Sequence, residues 1–159
     1  MTLAADVVAR LAETKCRVVF AESCTCGMVA CELGKIAGVS QWLCGSAVTY
    51  RDATKTQWLD VDADTIQTRT AVCDTVAHQM ATGALGRTPE SDLAVAITGH
   101  LGPDAPQGYD GLVFIGFARR KHDGAVHCEV HSHTLKRRGR GPRQVEATEL
   151  VFQTLLASL

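Results

Sequence analysis

The sequence lacks the features that would place the protein in a membrane, on nucleic acid or outside the cell. No apolar run is close to the length of about 20 residues that a membrane-spanning helix needs. Residues 1–6 lack the order of a secretion signal, in which charged residues precede an apolar stretch. The net charge is only −1, which provides no general field for nucleic acids or anionic membranes. We therefore expect a cytoplasmic protein that binds neither nucleic acid nor membrane.

The sequence also lacks a cysteine pattern typical of disulfides or metal sites. Its seven cysteines are odd in number and lie mainly in apolar stretches, as free thiols do in a reducing compartment. Cys24 and Cys26 are the exception, because a helix N-terminus lowers a thiol pKa and either would be reactive if exposed. Their C-x-C spacing differs from the C-x-x-C of redox and zinc sites, so we favour a structural role.

The hydrophobic and charged fractions, 46% and 21%, are typical of a globular protein. Without repeats or linkers, residues 1–159 are expected to form one domain. The predicted helices are residues 3–14, 25–36, 53–59, 62–68, 73–85 and a last helix with Pro142 in its first turn. The predicted strands are residues 17–21, 42–50, 92–98, 112–118 and 126–135. This order predicts an α/β fold, a three-layer αβα domain whose mixed, mainly parallel sheet has residues 92–98 at its centre.

Ser23 lies at the turn between the first strand and the second helix. Its hydroxyl is expected beside the unpaired N–H groups of the first helical turn, where the helix dipole favours negative charge. That position suits a nucleophile or an anion-binding group. It suits an ordinary N-cap equally well, because serine is preferred there to satisfy those donors.

Two further polar residues are predicted to lie near helix or strand ends, Tyr50 and Lys55. A serine becomes a useful nucleophile when a base takes its proton, and a lysine serves as that base when burial lowers its pKa. A tyrosine between the two would relay the proton. The alternative is that Tyr50 ends a strand half-buried and that Lys55 is a solvated helix residue.

Four segments resemble a known family in the same order. Residues 21–27 read AESCTCG and resemble the A-E-S-C-T-G-G signature of the CinA C-terminal domain family, the nicotinamide mononucleotide deamidases. Residues 45–50, with Lys55 five positions on, are similar to the family's G-x-V-T-Y-x-x-x-x-K segment. Residues 96–103 resemble its T-G-I-A-G-P loop, and residues 76–81 resemble its V-A-x-x-M-A run.

The resemblance implies an amidohydrolase that releases ammonia from nicotinamide mononucleotide, within pyridine nucleotide metabolism. It implies Ser23 as the nucleophile, Lys55 as its base and Tyr50 as the proton relay, with no metal or other cofactor. Backbone N–H groups at Thr25 or Cys26 are the type of donor that stabilises an oxyanion. Family members of this size commonly assemble, so we expect a homo-oligomer.

The sequence departs from the family pattern where the substrate is expected. Cys26 replaces a glycine, and residues 104–110 replace a glycine-rich run. The substrate is therefore nicotinamide mononucleotide or a related small amide, and the alternative is a non-catalytic paralogue that binds a small molecule or a protein partner. The predicted substrate-binding residues are Thr25, Cys26, Gly27, Ser46, Thr98, Gly99, His100, Gly102 and Arg143.

Two clusters of charged or metal-ligating residues remain. The basic residues between Lys136 and Arg143 form either a solvated face or a phosphate site helped by the N-terminus of the last helix, with Arg143 the favoured phosphate contact. His131 and His133 lie close enough along a strand to share a metal. Because no third ligand is evident nearby, we favour a polar outer face and predict no metal site.

Overall fold

The computed structural model describes residues 2–159, and its elements follow the predicted order. The helices are α1 (Leu3–Thr14), α2 (Met28–Gly34), α3 (Asp52–Leu59), α4 (Ala63–Arg69), α5 (Asp74–Arg87) and α6 (Arg140–Ser158). The strands are β1 (Val18–Glu22), β2 (Leu43–Val48), β3 (Leu93–Gly99), β4 (Leu112–Arg120) and β5 (Val126–Thr134).

The five strands form one sheet in the order β2-β1-β3-β4-β5, so β3 lies at its centre as predicted. β1 pairs in parallel with both β2 and β3, whereas β4 is antiparallel to β3 and to β5. Four strands therefore run in one direction and β4 alone is reversed. The predicted mixed, mainly parallel sheet is confirmed.

The two faces of the sheet pack against different helices, because successive side chains of a strand point to opposite faces. On β3, Val95 and Ile97 join a core with α1, α2 and α6. Ala94 and Ala96 join a second core with α3, α4 and α5. These two cores confirm the three-layer architecture. The small residues on the second face let α5 approach the sheet closely.

Helix α2 begins three residues later than the predicted start at Thr25. Cys26 and Gly27 have φ angles of +52° and +90°, in the left-handed region that a right-handed helix excludes. Residues 24–27 therefore form a turn, and the helix begins at Met28. The prediction was wrong here because the sequence pattern of apolar residues does not report backbone handedness.

Gly83 lies on α5 where that helix meets the end of α3. A Cβ at Gly83 would lie 1.9 Å from the backbone oxygen of Leu59, so Gly83→Ala forces the two helices apart. We expect a loss of about 1–3 kcal/mol in the free energy of unfolding, measured by urea denaturation. Gly86, on the same helix, has open space at its Cβ, so Gly86→Ala is expected to be neutral or to stabilise by up to about 1 kcal/mol. Equal effects at the two positions would contradict this packing.

Candidate active site

The three residues predicted to carry chemistry line one cleft at the carboxyl ends of the parallel strands. Ser23 follows β1, Tyr50 lies just beyond β2, and Lys55 of α3 lines the same cleft, whose volume is about 290 Å³. Residues 98–103, which end β3 and follow it, form another wall. Open α/β sheets bind ligands at this edge, where successive connections leave the sheet in opposite directions. The fold therefore brings the trio together.

The Lys55 side chain is buried, unlike the solvated alternative. It is 1% exposed, and Nζ donates hydrogen bonds to the backbone oxygens of Thr49 at 2.9 Å and Tyr50 at 3.2 Å. Burial lowers the pKa of Lys55 below its ordinary value of 10.5, and the carboxylate of Asp52 opposes this shift. Within residues 2–159, no carboxylate forms an ion pair with Nζ.

Ser23 is held by its backbone and leaves its hydroxyl free of the protein. Its N–H donates to the backbone oxygen of Ile97 at 3.0 Å, which fixes the turn against β3. In the described part of the chain no group hydrogen-bonds to the Ser23 hydroxyl, and no acceptor is found for the N–H groups of Cys24 and Thr25. The N–H of Cys26, by contrast, donates to the backbone carbonyl oxygen of Ser23 at 3.1 Å. The turn therefore presents to the cleft the Ser23 hydroxyl and the unpaired N–H of Cys24, because both residues line it.

Tyr50 lines the cleft from its rim and is 50% exposed. Its hydroxyl accepts a hydrogen bond from Nη2 of Arg140 at 2.5 Å. Nη1 of Arg140 donates to the backbone oxygen of Gly102 at 3.0 Å. The phenol is therefore paired with the start of α6, and its relay between Ser23 and Lys55 stays a prediction.

Four of the predicted substrate-binding residues line the cleft: Thr98, Gly99, His100 and Gly102. The Thr98 hydroxyl donates to the backbone oxygen of Ala71 at 2.8 Å, so it fastens the loop before α5. Burial lowers the pKa of His100, which keeps the imidazole neutral at pH 7. Its Nε2 is buried and finds no partner among residues 2–159.

The predicted substrate-binding residues around the first turn lie outside the cleft lining. The hydroxyls of Thr25 and Ser46 donate to the carboxylate of Glu22, at 2.8 Å and 2.9 Å. Cys26 is exposed, and Gly27 serves as the N-cap residue of α2. Their side chains are therefore committed to the turn or face away from the cleft.

Arg143, the favoured phosphate contact, is occupied by the protein itself. Its guanidinium binds both carboxylate oxygens of Asp110, at 2.6 Å and 2.9 Å, and the backbone oxygens of Leu101 and Arg137. This hydrogen bonding lowers the pKa of Asp110 below its ordinary value. Arg143 therefore fastens the loop after β3 to α6, and Arg140, one turn earlier, is the arginine of this basic run that lines the cleft.

Cys24 lines the cleft but is not a reactive thiol. Burial raises its pKa to about 12, although the helix N-terminus was expected to lower it. Desolvation of a thiolate outweighs the dipole because the side chain is only 4% exposed. The condition set for reactivity, an exposed thiol, is therefore not met by this residue.

No group of three or more His, Cys, Asp or Glu side chains in residues 2–159 is arranged to hold a metal ion. His131 lies on the exposed strand β5, where its Nε2 is 3.6 Å from a Glu129 carboxylate oxygen. In the same described range, none of the helices combines the length and apolar character needed to cross a membrane.

Sequence reasoning missed two residues of this region. Arg140 was one of several arginines in a basic run, and only the position of α6 shows which of them reaches the cleft. Glu22 carries a signal that the sequence does contain: it is a charged residue at the end of an otherwise apolar strand, directly before Ser23.

Comparisons with known proteins agree with this fold. The profile of the CinA C-terminal domain matches residues 1–158, and the chain belongs to the CinA C-terminal domain family. A solved structure of the competence/damage inducible protein CihA from Agrobacterium tumefaciens has a TM-score of 0.87 and 32% identity, over 98% of this chain and 92% of that one. A CinA superfamily protein from Klebsiella pneumoniae has a TM-score of 0.88 and 27% identity, over 99% and 97%.

Two curated relatives match this chain over different shares of their own length. A CinA-like protein from Chlorobaculum tepidum is 35% identical over the whole of this chain, which spans 38% of that relative. The nicotinamide-nucleotide amidohydrolase PncC from Enterobacter agglomerans is 40% identical over 69% of this chain and 66% of its own length.

Proposed function

We propose that the chain is a serine–lysine amidohydrolase acting on nicotinamide mononucleotide or a related small amide. The observation that carries the proposal is the buried Lys55 amine on the wall of the cleft that Ser23 also lines. A solvated lysine remains an ammonium, whereas burial favours the neutral amine that acts as a base. The name of the Enterobacter agglomerans relative, a nicotinamide-nucleotide amidohydrolase, supports the reaction class.

In the proposed reaction, the neutral Lys55 amine takes the proton of the Ser23 hydroxyl as Oγ attacks the carboxamide carbon. The oxyanion accepts a hydrogen bond from the unpaired N–H of Cys24, which lines the cleft. The C–N bond then breaks, Lys55 passes its proton to the leaving nitrogen, and ammonia departs. Water hydrolyses the Ser23 ester by the same proton route, which releases the carboxylate and restores the hydroxyl.

A nucleotide substrate also requires a partner for its phosphate, and we assign that role to Arg140. Arg140 lines both the cleft and an adjoining groove of about 410 Å³ that Arg138 and Arg143 also line. It begins α6, whose N-cap residue Gly139 provides no side-chain cap. An uncapped helix N-terminus beside a guanidinium favours a bound anion.

Replacing Arg140 with methionine tests the phosphate assignment. We expect the KM for nicotinamide mononucleotide to rise about 10-fold or more, because a charge-assisted contact is lost. Hydrolysis of nicotinamide riboside, which has no phosphate, should change little. Ammonia release is measured with both substrates, and Lys121→Met, at the opposite end of the sheet, is the control. Equal losses on the two substrates would contradict the assignment.

The rival proposal is a non-catalytic paralogue of the same fold that binds a small molecule or a protein partner. The departures at Cys26 and residues 104–110 favour it. It is distinguished by a panel of amides and esters: no turnover of any of them, with ligand binding retained in Ser23→Ala, would support the rival. We further propose one domain over residues 1–159, cytoplasmic localisation and assembly of identical chains.

A further inference from the structure

Glu22 is a buried carboxylate that the proposed reaction does not use. It ends β1 directly before Ser23, follows four apolar residues and is only 1% exposed. Within residues 2–159, it forms no ion pair with a cation. A buried charge is costly unless other groups stabilise it, so the contacts of Glu22 indicate what it does.

The two carboxylate oxygens of Glu22 accept four hydrogen bonds. Oε2 accepts from the Thr25 hydroxyl at 2.8 Å and from the N–H of Val29 at 3.1 Å. Oε1 accepts from the N–H of Ala30 at 3.0 Å and from the Ser46 hydroxyl at 2.9 Å. Glu22 therefore caps α2 in place of Gly27, which has no side chain, and joins β2 to the Ser23 turn.

The backbone of Glu22 extends this connection toward Lys55. Its carbonyl oxygen accepts from the N–H of Thr49 at 2.9 Å, and the carbonyl oxygen of Thr49 accepts from Lys55 Nζ at 2.9 Å. Thr49 thus connects Glu22, which precedes the proposed nucleophile Ser23, to the proposed base Lys55.

We propose that Glu22 is a positioning residue that fixes the Ser23 turn, an inference that rests on the proposed amidohydrolase function. It acts through the turn, since it does not line the cleft and its oxygens are occupied by four donors. Only a carboxylate fits, because each oxygen accepts from a backbone N–H of α2. In either orientation, the amide nitrogen introduced by Glu22→Gln would face one of these donors, and two donors repel. Misplacement of a reacting group by about 1 Å costs on the order of 10²-fold in rate.

The test compares Glu22→Gln with Glu32→Gln, a matched change at a partly exposed position of α2, the helix that Glu22 caps. The readouts are kcat, KM and the pH profile for ammonia release, together with the rate at which a fluorophosphonate labels Ser23. Glu22→Gln is expected to lower kcat and the labelling rate about 10- to 100-fold, with KM and the pH profile unchanged. Ser46→Ala, which removes one donor, should lower both rates less, and Ser46→Thr should recover them. If Glu22→Gln does not fold, the two Ser46 variants still test the positioning role.

The outcomes separate the two proposals. A wild-type protein that neither turns over an amide nor is labelled at Ser23 overturns the proposed function itself. If the wild type is active and labelled at Ser23, but Glu22→Gln and Ser46→Ala have the same kcat and labelling rate as Glu32→Gln, the positioning role is overturned. A change in the pH profile of Glu22→Gln would also overturn it, because the carboxylate would then take part in proton transfer.

Discussion

Replacing Ser23 with alanine is expected to abolish ammonia release, with a loss of at least about 10³-fold in kcat, because the proposed acyl transfer has no other nucleophile. The fold should be kept, since the Ser23 hydroxyl makes no hydrogen bond within residues 2–159 that the change would break. The measurement is an ammonia assay with nicotinamide mononucleotide, and circular dichroism checks the fold.

Ser40 provides the control for this change, because it is exposed in the short 3₁₀ helix Val39–Gln41 before β2. Ser40→Ala should release ammonia at the wild-type rate. A Ser23→Ala protein with more than about a tenth of wild-type kcat would remove Ser23 from the chemistry, since loss of a serine nucleophile costs far more than tenfold.

Replacing Lys55 with methionine is expected to lower kcat about 10²- to 10⁴-fold, the usual contribution of a positioned general base. Wild-type activity should rise with pH through the lowered pKa of Lys55, because only the neutral amine takes the serine proton. This acid limb should be absent from any residual activity of Lys55→Met. The pH dependence of kcat in both proteins is the measurement, and a limb that persists in Lys55→Met would assign the titration to another group.

The same substitution should change how stability depends on pH. Burial lowers the pKa of Lys55 in the folded protein, so between that value and 10.5 the unfolded chain binds more protons. Raising the pH through this window therefore stabilises wild type relative to Lys55→Met. Urea denaturation of both proteins across that window measures the difference. A difference that is constant or falls with rising pH would show that the ammonium is not desolvated.

Most of the architecture could be predicted because it depends on the spacing of apolar residues. The unbroken apolar run that became β3 identified the central strand, and the early alternation of helices and strands predicted three layers. The start of α2 could not be predicted in this way, because it depends on the left-handed backbone of Cys26 and Gly27. The apolar pattern shows which residues are buried, and burial determines how helices and strands pack. The start of a helix depends instead on the backbone dihedral angles of one or two residues, which the pattern does not show.

The site was predictable in part, and the reason lies in what each residue contacts. The chemistry of Ser23 and Lys55 and the family resemblance predict both residues, and the structure places both on one cleft. The role of an arginine depends on which partner it meets after folding. The basic run predicts Arg143 as the phosphate contact, but Asp110 binds Arg143 and Arg140 reaches the cleft instead. No spacing in the sequence indicates that choice.

The most direct test of the account is to stop the reaction in acid during turnover and weigh the peptides of the protein. We expect the peptide that contains Ser23 to carry an added mass equal to nicotinamide mononucleotide minus ammonia, the ester formed when Oγ replaces the amide nitrogen. The adduct should be absent from Ser23→Ala. Ammonia release with no adduct on Ser23, or with an adduct on another residue, would contradict the serine–lysine mechanism.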